Sequence, residues 1–295
     1  MIEHPPGQFI EVRGKRLWVE REGRGEPLIL LTGGPADSHF LMHPAFSPLA
    51  DRFELIYVDY AGRGRSEKPV GGDVTFEGDV ADLEGLRAAL GFERWNVYGF
   101  SYGGLLAQAH ALAHPERVAR LVLANTLHSP EMWQLNHANI AREIEFQFPE
   151  MWERILELKA AGVPSSDPRM RASFAVHRPL IRFFDASKAA PPDLSAEVNP
   201  RDIDLYFRFC GADIDWIIGG EVARLPDFRP RLKELAMPTL IVAGRYDRAL
   251  YPKLQMDFKR CAPQARFVML ERSGSFAHVE EPETLLPLLR DFLTS

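Results

Sequence analysis

The residue whose type and setting most suggest chemistry is Ser101, which stands between Gly99 and Gly103. The spacing G-x-S-x-G, at the point where an apolar run gives way to a helical pattern, predicts a nucleophile elbow. In so sharp a turn the serine takes a strained backbone conformation, and glycine neighbours let strand and helix approach closely. The start of the helix offers N–H groups without helical partners and a partial positive charge, which suit a developing oxyanion. The alternative is a glycine-rich turn that merely contains a serine.

The elements that must position Ser101 are predicted strands alternating with helices. Apolar runs typical of strands buried on both faces recur along the chain, at residues 28–31, 54–59, 121–124, 239–243 and 266–270. Short alternating segments near the N-terminus predict an antiparallel hairpin. The pattern is typical of an α/β fold with a parallel sheet and helices on both faces, whose ligands bind at the carboxyl ends of the strands. Ser101, a glycine loop at residues 32–35 and a loop that begins at Asp59 all follow such strands.

Between residues 127 and 234 the strand–helix alternation stops. This segment is rich in aromatic residues and carboxylates, and its pattern is helical with several proline breaks. We interpret residues 1–126 together with 235–295 as one split core, and residues 127–234 as a helical lid inserted over the strand ends. Most of the aromatic side chains are expected to pack within the lid, and some to line a pocket.

These motifs resemble the α/β-hydrolase superfamily, over residues 9–126 and 235–295. The order Ser101, Asp247, then a histidine region is the order of nucleophile, acid and base in that superfamily. The T-G-G-P loop at residues 32–35 is similar to the H-G-G-P-G loop of the proline iminopeptidase family, with Thr32 in the place of its histidine. The resemblance implies a mostly parallel eight-stranded sheet with an inserted helical lid.

The resemblance also implies roles for four groups. Ser101 would attack a carbonyl carbon and form an acyl-enzyme. The backbone N–H groups of Gly34 and Tyr102 would hold the oxyanion. Asp247, which directly follows a predicted buried strand, would orient and charge-balance an imidazole. The alternative for Asp247 is a solvated loop acid.

The catalytic base is the position that departs from the family pattern. Relatives commonly carry G-H-[FW] after the last strand, with a second histidine in a stretch such as H-x-E-E-P. Here Gly274 is followed by Ser275, and His278 matches the second, usually non-catalytic, histidine. Either Ser275 replaces the base, by natural divergence or by deliberate substitution, or the loop shifts so that His278 serves. We favour replacement, because three residues along a loop move a side chain by several ångströms.

The composition is that of an ordinary globular protein. The chain has 295 residues, 46% hydrophobic and 26% charged, with a net charge of -6. This mild acidity argues against nucleic acid or an anionic membrane as the main partner. Cys210 and Cys261 stand far apart and predict thiols rather than a metal or redox site. No leader-like or membrane-length apolar segment is evident, so we expect a cytoplasmic location, and neither a metal nor an organic cofactor.

Two classes of function fit these features. The first is a serine hydrolase acting on a small ester, amide or N-terminal residue, with an aminopeptidase as the named expectation and a carboxylesterase or lactonase as the alternative. The second is a hydrolase-like binding or receptor protein that keeps a lidded pocket but has lost turnover. In either case the partner is a small molecule or a short peptide, and the oligomeric state stays open.

Overall fold

The computed structural model describes residues 5–69, 74–175, 178–189 and 201–295. Residues 1–4 of the predicted core and residues 190–200 of the predicted lid lie outside these ranges. Eight strands form one sheet, in the order β1-β2-β4-β3-β5-β6-β7-β8. The strands are β1 (Gly7–Val12), β2 (Lys15–Gly23), β3 (Glu26–Leu31), β4 (Phe53–Val58), β5 (Trp95–Phe100), β6 (Val118–Ala124), β7 (Thr239–Gly244) and β8 (Arg266–Leu270).

The sheet is antiparallel only at its first edge. β1 pairs with β2, and β2 with β4, in antiparallel register, which confirms the predicted hairpin. From β4 to β8 every pairing is parallel. The fully buried apolar runs of β3, β5, β6 and β7 explain this arrangement, because only a strand covered on both faces needs side chains that are apolar throughout. The predicted α/β-hydrolase architecture is confirmed.

Ten α-helices are described, and they fall into two groups of five. Within the sheet-forming parts of the chain lie α1 (Phe76–Ala89), α2 (Tyr102–Ala113), α8 (Pro252–Cys261), α9 (Ala277–Glu280) and α10 (Pro282–Thr294). Between β6 and β7 lie α3 (Pro130–Gln147), α4 (Pro149–Ala160), α5 (Pro168–Ala175), α6 (Arg178–Arg182) and α7 (Ile203–Cys210). Short 3-10 helices connect several of them. No helix in the described ranges is long and apolar enough to cross a bilayer.

Two layers of core lie on opposite faces of the sheet. On one face, α1, α2 and α8 cover a cluster that includes Val97 and Leu106. On the other, α10 covers a cluster that includes Tyr98 and Leu289. Adjacent residues of β5 therefore point to opposite faces, as the strand period of two requires. Helices α3 to α6 contribute a third cluster around Ile144, whereas Trp133 of α3 and Phe209 of α7 belong to the first cluster. That these helices form a separate lid stays our proposal.

Candidate active site

Ser101 occupies a backbone conformation that L-residues rarely adopt. It joins β5 to α2 with φ 50° and ψ -117°, outside the allowed wells. The N–H of Ser101 donates to the carbonyl of Ala124 at 3.2 Å. The carbonyl of Ser101 accepts from the hydroxyl of Thr126 at 2.6 Å. A Cβ on Gly103 would lie 2.2 Å from the carbonyl oxygen of Leu31, so only glycine fits there. These contacts hold the strained turn, as expected of a functional corner.

The glycine loop lies directly against this corner. A Cβ built on Gly33 would come 2.9 Å from the Cβ of Ser101. Gly34 has φ +75°, and a Cβ there would lie 2.0 Å from Oδ2 of Asp37. Tyr102 is the first residue of α2, so its N–H has no partner within the helix. Gly34 lines the same cavity as Ser101, and Tyr102 directly follows Ser101 in the chain. That their N–H groups form an oxyanion site stays a prediction.

A buried ion pair joins the loops around this corner. Arg63 donates two hydrogen bonds of 2.9 Å to Asp79, and Tyr102 donates a third of 2.7 Å from its hydroxyl. The same guanidinium donates to the carbonyls of Pro35 and Ala61 at 2.7 and 2.8 Å. Burial raises the pKa of Asp79, although Arg63 and the Tyr102 hydroxyl oppose it. This network was not expected from the sequence, where its only signal is an arginine within a glycine-rich loop.

Asp247 is buried and fully hydrogen-bonded rather than solvated. Its Oδ1 accepts the N–H groups of Ala249 and Leu250 at 3.0 and 2.8 Å. Its Oδ2 accepts from the side-chain amide of Asn125 at 3.2 Å, and the same amide donates to the carbonyl of Gly274 at 3.1 Å. Asn125 immediately follows Ala124, the residue that accepts from Ser101. The end of β6 therefore ties the acid to the loop at residues 273–275 beside the elbow.

Ser275 is held by its backbone but not by its side chain. Its N–H donates to the carbonyl of Arg182 at 2.7 Å, and the neighbouring Gly274 N–H donates to Glu280 at 2.7 Å. The side chain is buried, and its hydroxyl oxygen has no hydrogen-bond partner among the described residues. A buried hydroxyl without a partner is unfavourable by about 1–3 kcal/mol. The position is therefore poorly matched to serine.

His278 is buried against the aromatic rings of Phe46 and Phe100. Its ring stacks at 5.7 Å on Phe46 and meets the edge of Phe100 at 4.9 Å. Burial lowers the pKa of His278 to about 4, with only the backbone of Leu41 opposing it. It does not line the cavity described next. This placement argues against the reading in which His278 serves as the base.

A cavity of about 140 Å³ opens onto Ser101. Residues of the core form its floor, including Gly33, Gly34 and Ser101, and residues of the helical segment form its roof. The roof residues are Leu127, Trp133, Asn136, His137, Arg182, Arg201 and Tyr206. The predicted pocket between core and lid is thus present among the described residues, although its charged members were not foreseen.

Four acidic residues in the described part of the lid segment make structural contacts. Asp202 caps α7, and Asp213 accepts the N–H of Ser165. Glu143 accepts from the Tyr251 hydroxyl, and Glu221 accepts the N–H of Phe76. None of these four lines the cavity over Ser101. Their contacts give these four acids structural roles.

One cluster with metal-ligand spacing was not evident from the sequence. Atoms of Glu20, His39 and His43 lie within 4.8 Å of one another, and all three side chains are buried. His39 contacts Glu20 at 3.1 Å and Asp59 at 2.8 Å, and Arg65 contacts Glu20 at 3.2 Å. When His39 is protonated, the two carboxylates of Glu20 and Asp59 are matched by two cations, His39 and Arg65. The charges are balanced without a metal, so we interpret the cluster as a structural network.

The comparisons agree with this geometry. A family model described as alpha/beta hydrolase fold matches residues 26–282. A proline iminopeptidase of Heyndrickxia coagulans is 27% identical over 296 residues, covering 97% of this chain and 98% of that protein.

Solved structures show the same fold. The crystal structure of a proline iminopeptidase of Mycobacterium smegmatis superposes with a TM-score of 0.80 at 22% identity, covering 98% of both chains. A thermophilic esterase of Thermogutta terrifontis superposes with a TM-score of 0.68 at 23% identity, again covering 98% of both chains. The chain belongs to the α/β-hydrolase family and is a hydrolase similar to the proline iminopeptidases.

Proposed function

We propose that this chain cleaves a small ester, amide or N-terminal residue through an acyl-enzyme on Ser101. The observation that carries the proposal is the strained φ of 50° at Ser101, held at the start of α2 beside the cavity. A non-glycine residue in such a conformation is unfavourable by about 1–3 kcal/mol, which the surroundings must offset. Exposing a nucleophile to a carbonyl substrate is a function that would explain that cost.

In this mechanism the carbonyl oxygen would bind the N–H groups of Gly34 and Tyr102. Negative charge that develops there would meet donors already fixed by the loop and by the start of α2. Asp247 would stabilise a protonated base in the loop at residues 273–275, and position 275 holds serine. In this proposal Asp247, Gly34 and Tyr102 would supply the acid and the oxyanion donors, whereas the serine at the position expected for the base cannot accept a proton near neutral pH.

Two substrate classes differ in what the cavity must recognise. The relatives named proline iminopeptidases support an N-terminal residue as substrate. Such a substrate carries a positive amine, yet Asp37, the acid that lines the cavity, is already paired with Arg201 at 2.8 Å. This pairing favours the second candidate, an esterase or lactonase with a neutral acyl group. Equal rates with an aminoacyl anilide and its N-acetyl form would exclude aminopeptidase selectivity.

The nucleophile is tested by labelling and by turnover. We expect a fluorophosphonate probe to label the wild-type protein at Ser101, and p-nitrophenyl acetate hydrolysis to be lost in Ser101→Ala. Ser129→Ala is the matched control, because Ser129 lies at the start of α3 and does not line the cavity. Hydrolysis that is unchanged in Ser101→Ala would overturn the proposal.

The base position is tested by Ser275→His. An imidazole placed beside Asp247 would supply a general base, so we expect kcat/KM to rise by at least about 10²-fold. No labelling, no turnover and no response to Ser275→His would instead favour the binding-protein hypothesis.

A further inference from the structure

A single buried carboxylate joins the lid segment to the loop that carries Ser275. Glu280 is the last residue of α9, and only 2% of its surface is exposed. Its Oε1 accepts the N–H groups of Phe184 and Asp185 at 2.7 and 3.0 Å. Its Oε2 accepts the N–H of Gly274 at 2.7 Å. One side chain therefore binds the segment after α6 and the loop before α9 at the same time.

Two more hydrogen bonds cross between the same segments. The N–H of Ser275 donates to the carbonyl of Arg182 at 2.7 Å. The ammonium group of Lys188 donates to the carbonyl of Glu280 at 2.6 Å. Residues 182–188, here called the strap, are thus hydrogen-bonded at several points to the loop before α9 and to α9 itself.

The contact between strap and loop forms part of the wall of the cavity over Ser101. Arg182 of the strap and Phe276 of the loop both line this cavity. The ring of Phe276 stacks at 4.7 Å on the ring of Phe183, with 15° between the two planes. Because the two lining residues come from opposite sides of the contact, the shape of this wall depends on the strap staying in place.

The contact requires a carboxylate at position 280. An ionised carboxylate offers only acceptors, whereas a carboxamide has one acceptor oxygen and one NH₂ donor. In Glu280→Gln the NH₂ group would face either the N–H of Gly274 or the two N–H groups of the strap. A buried donor that loses its acceptor is unfavourable, so the contact would open on that side.

We propose that Glu280 is a positioning residue that holds the strap over the cavity and thereby restricts Ser101 to small acyl groups. This inference rests on the proposed function. Glu280 does not line the cavity, so it acts through Arg182 and Phe276, which do. With the strap in place the cavity measures about 140 Å³. When the strap is released, this wall moves outward and a longer acyl chain fits.

The test compares hydrolysis of p-nitrophenyl acetate and p-nitrophenyl butyrate by the wild type and Glu280→Gln. A methylene group in an apolar pocket changes kcat/KM by about 10–200-fold, so we expect the butyrate-to-acetate ratio of kcat/KM to rise at least about tenfold in Glu280→Gln. For the acetate ester, KM should rise while kcat stays within about twofold, as expected when a binding contact is lost. A merely structural carboxylate would lower the rates with both esters equally, and that result would overturn the proposal.

Hydrogen exchange followed by mass spectrometry measures the contact without turnover. We expect peptides that contain either residues 184–185 or residue 274 to exchange at least about tenfold faster in Glu280→Gln than in the wild type. Peptides from β5 should exchange at the same rate in both proteins. Unchanged exchange at both sides of the contact would refute the role of Glu280, whatever the hydrolysis rates.

Glu281→Gln is the matched control for a buried carboxylate. Glu281 follows directly in the chain and accepts from the N–H of Arg272 and the hydroxyls of Ser273 and Thr284, which all lie outside the strap. We expect this variant to lower the urea midpoint without changing the ester ratio. An equal rise of the ratio in Glu281→Gln would assign the effect to general loosening of the loop and would overturn the proposal.

Lys188→Met tests the same contact from the side of the strap. It removes the hydrogen bond to the carbonyl of Glu280 and leaves the buried carboxylate intact, so it serves even if Glu280→Gln does not fold. We expect the ester ratio to rise in the same direction, by less than in Glu280→Gln. An unchanged ratio in Lys188→Met and Glu280→Gln, with hydrolysis still dependent on Ser101, refutes the positioning role and leaves the proposed function intact. Wild-type hydrolysis that does not depend on Ser101 refutes the proposed function itself, and the exchange rates then decide whether Glu280 holds the strap.

Discussion

Replacing Arg63 with methionine tests the buried ion pair that joins the loops of the site. Arg63 and Asp79 are buried, and the arginine donates four hydrogen bonds, two of them to the carboxylate. Removing one partner of a buried ion pair leaves an uncompensated charge, so we expect Arg63→Met to lower the free energy of unfolding by about 3–5 kcal/mol. Urea denaturation followed by tryptophan fluorescence measures the loss.

The pH dependence of stability shows whether the unpaired charge of Asp79 causes the loss in Arg63→Met. Burial already raises the pKa of Asp79, and Arg63 opposes that rise. Without Arg63 the folded-state pKa moves further above the unfolded value, so the folded state loses stability as the pH rises through that pKa. The deficit of Arg63→Met relative to wild type should therefore shrink when the pH falls from about 8 to about 5.

Two comparisons complete the test. Arg16→Met removes an exposed partner of Glu67 and should lower the unfolding free energy far less than Arg63→Met does. The triple variant Arg63→Met, Asp79→Leu and Tyr102→Phe removes the charge and both of its partners, so it should be more stable than Arg63→Met alone. If Arg63→Met behaves like Arg16→Met, or if its deficit does not change with pH, the reasoning is wrong.

Two further predictions concern single positions. Gly34→Ala should lower kcat/KM by about 10²–10³-fold, because the new Cβ would lie 2.0 Å from Asp37 and move the N–H of residue 34. Gly14 has the same φ of +75° but nothing within 4 Å of a new Cβ, so Gly14→Ala should leave the rate unchanged. Burial lowers the pKa of His39, but Asp59 and Glu20 outweigh it and raise the pKa from 6.5 to about 9. The resulting stabilisation, on the order of 3 kcal/mol, is complete below pH 6.5 and is lost as the pH rises to about 9. Between pH 6.5 and about 9, the urea midpoint should fall for the wild type and stay constant for His39→Gln. If the midpoints of the two proteins change in parallel with pH, the raised pKa of His39 is wrong.

The sheet was predictable because its signals are local. Strands such as β3 and β7 are apolar at nearly every position, and turn residues bound them on both sides. The G-x-S-x-G spacing is also local, because the sharp turn at Ser101 admits only glycine at its close contacts. Parallel pairing then places the strand ends at one edge, so the sequence order of Ser101 and Asp247 sufficed to expect them near each other.

The contacts that the sequence did not reveal join residues far apart in the chain. Asn125 meets Asp247 across 122 positions, and Arg201 meets Asp37 across 164. No periodicity encodes such pairs, because each partner is a single polar residue in a loop or at the end of an element. The same reason concealed the cavity residues of the lid segment, such as Arg201 and His137. Their place in the cavity follows from how the lid segment packs, and residue spacing carries no record of that packing.

The effect of Ser275→His on stability can be predicted without reference to catalytic turnover. The side-chain amide of Asn125 donates to Asp247 and to the carbonyl of Gly274, and so joins the acid to the loop that carries Ser275. The buried hydroxyl of Ser275 has no hydrogen-bond partner among the described residues. An imidazole there would donate to the carboxylate, and a hydrogen bond to a charged group contributes about 1.5–3 kcal/mol. We therefore expect Ser275→His to leave the unfolding free energy unchanged or to raise it.

Ser273→His is the matched control for that prediction. Ser273 lies two residues away, is fully buried, and donates to Glu281 at 3.0 Å. Its replacement breaks a satisfied hydrogen bond and overfills a packed site, so we expect a loss of about 1–3 kcal/mol. If Ser275→His is as destabilising as Ser273→His, the loop has no room for an imidazole, and position 275 is not a vacated base. The carboxylate of Asp247 would then need a different partner.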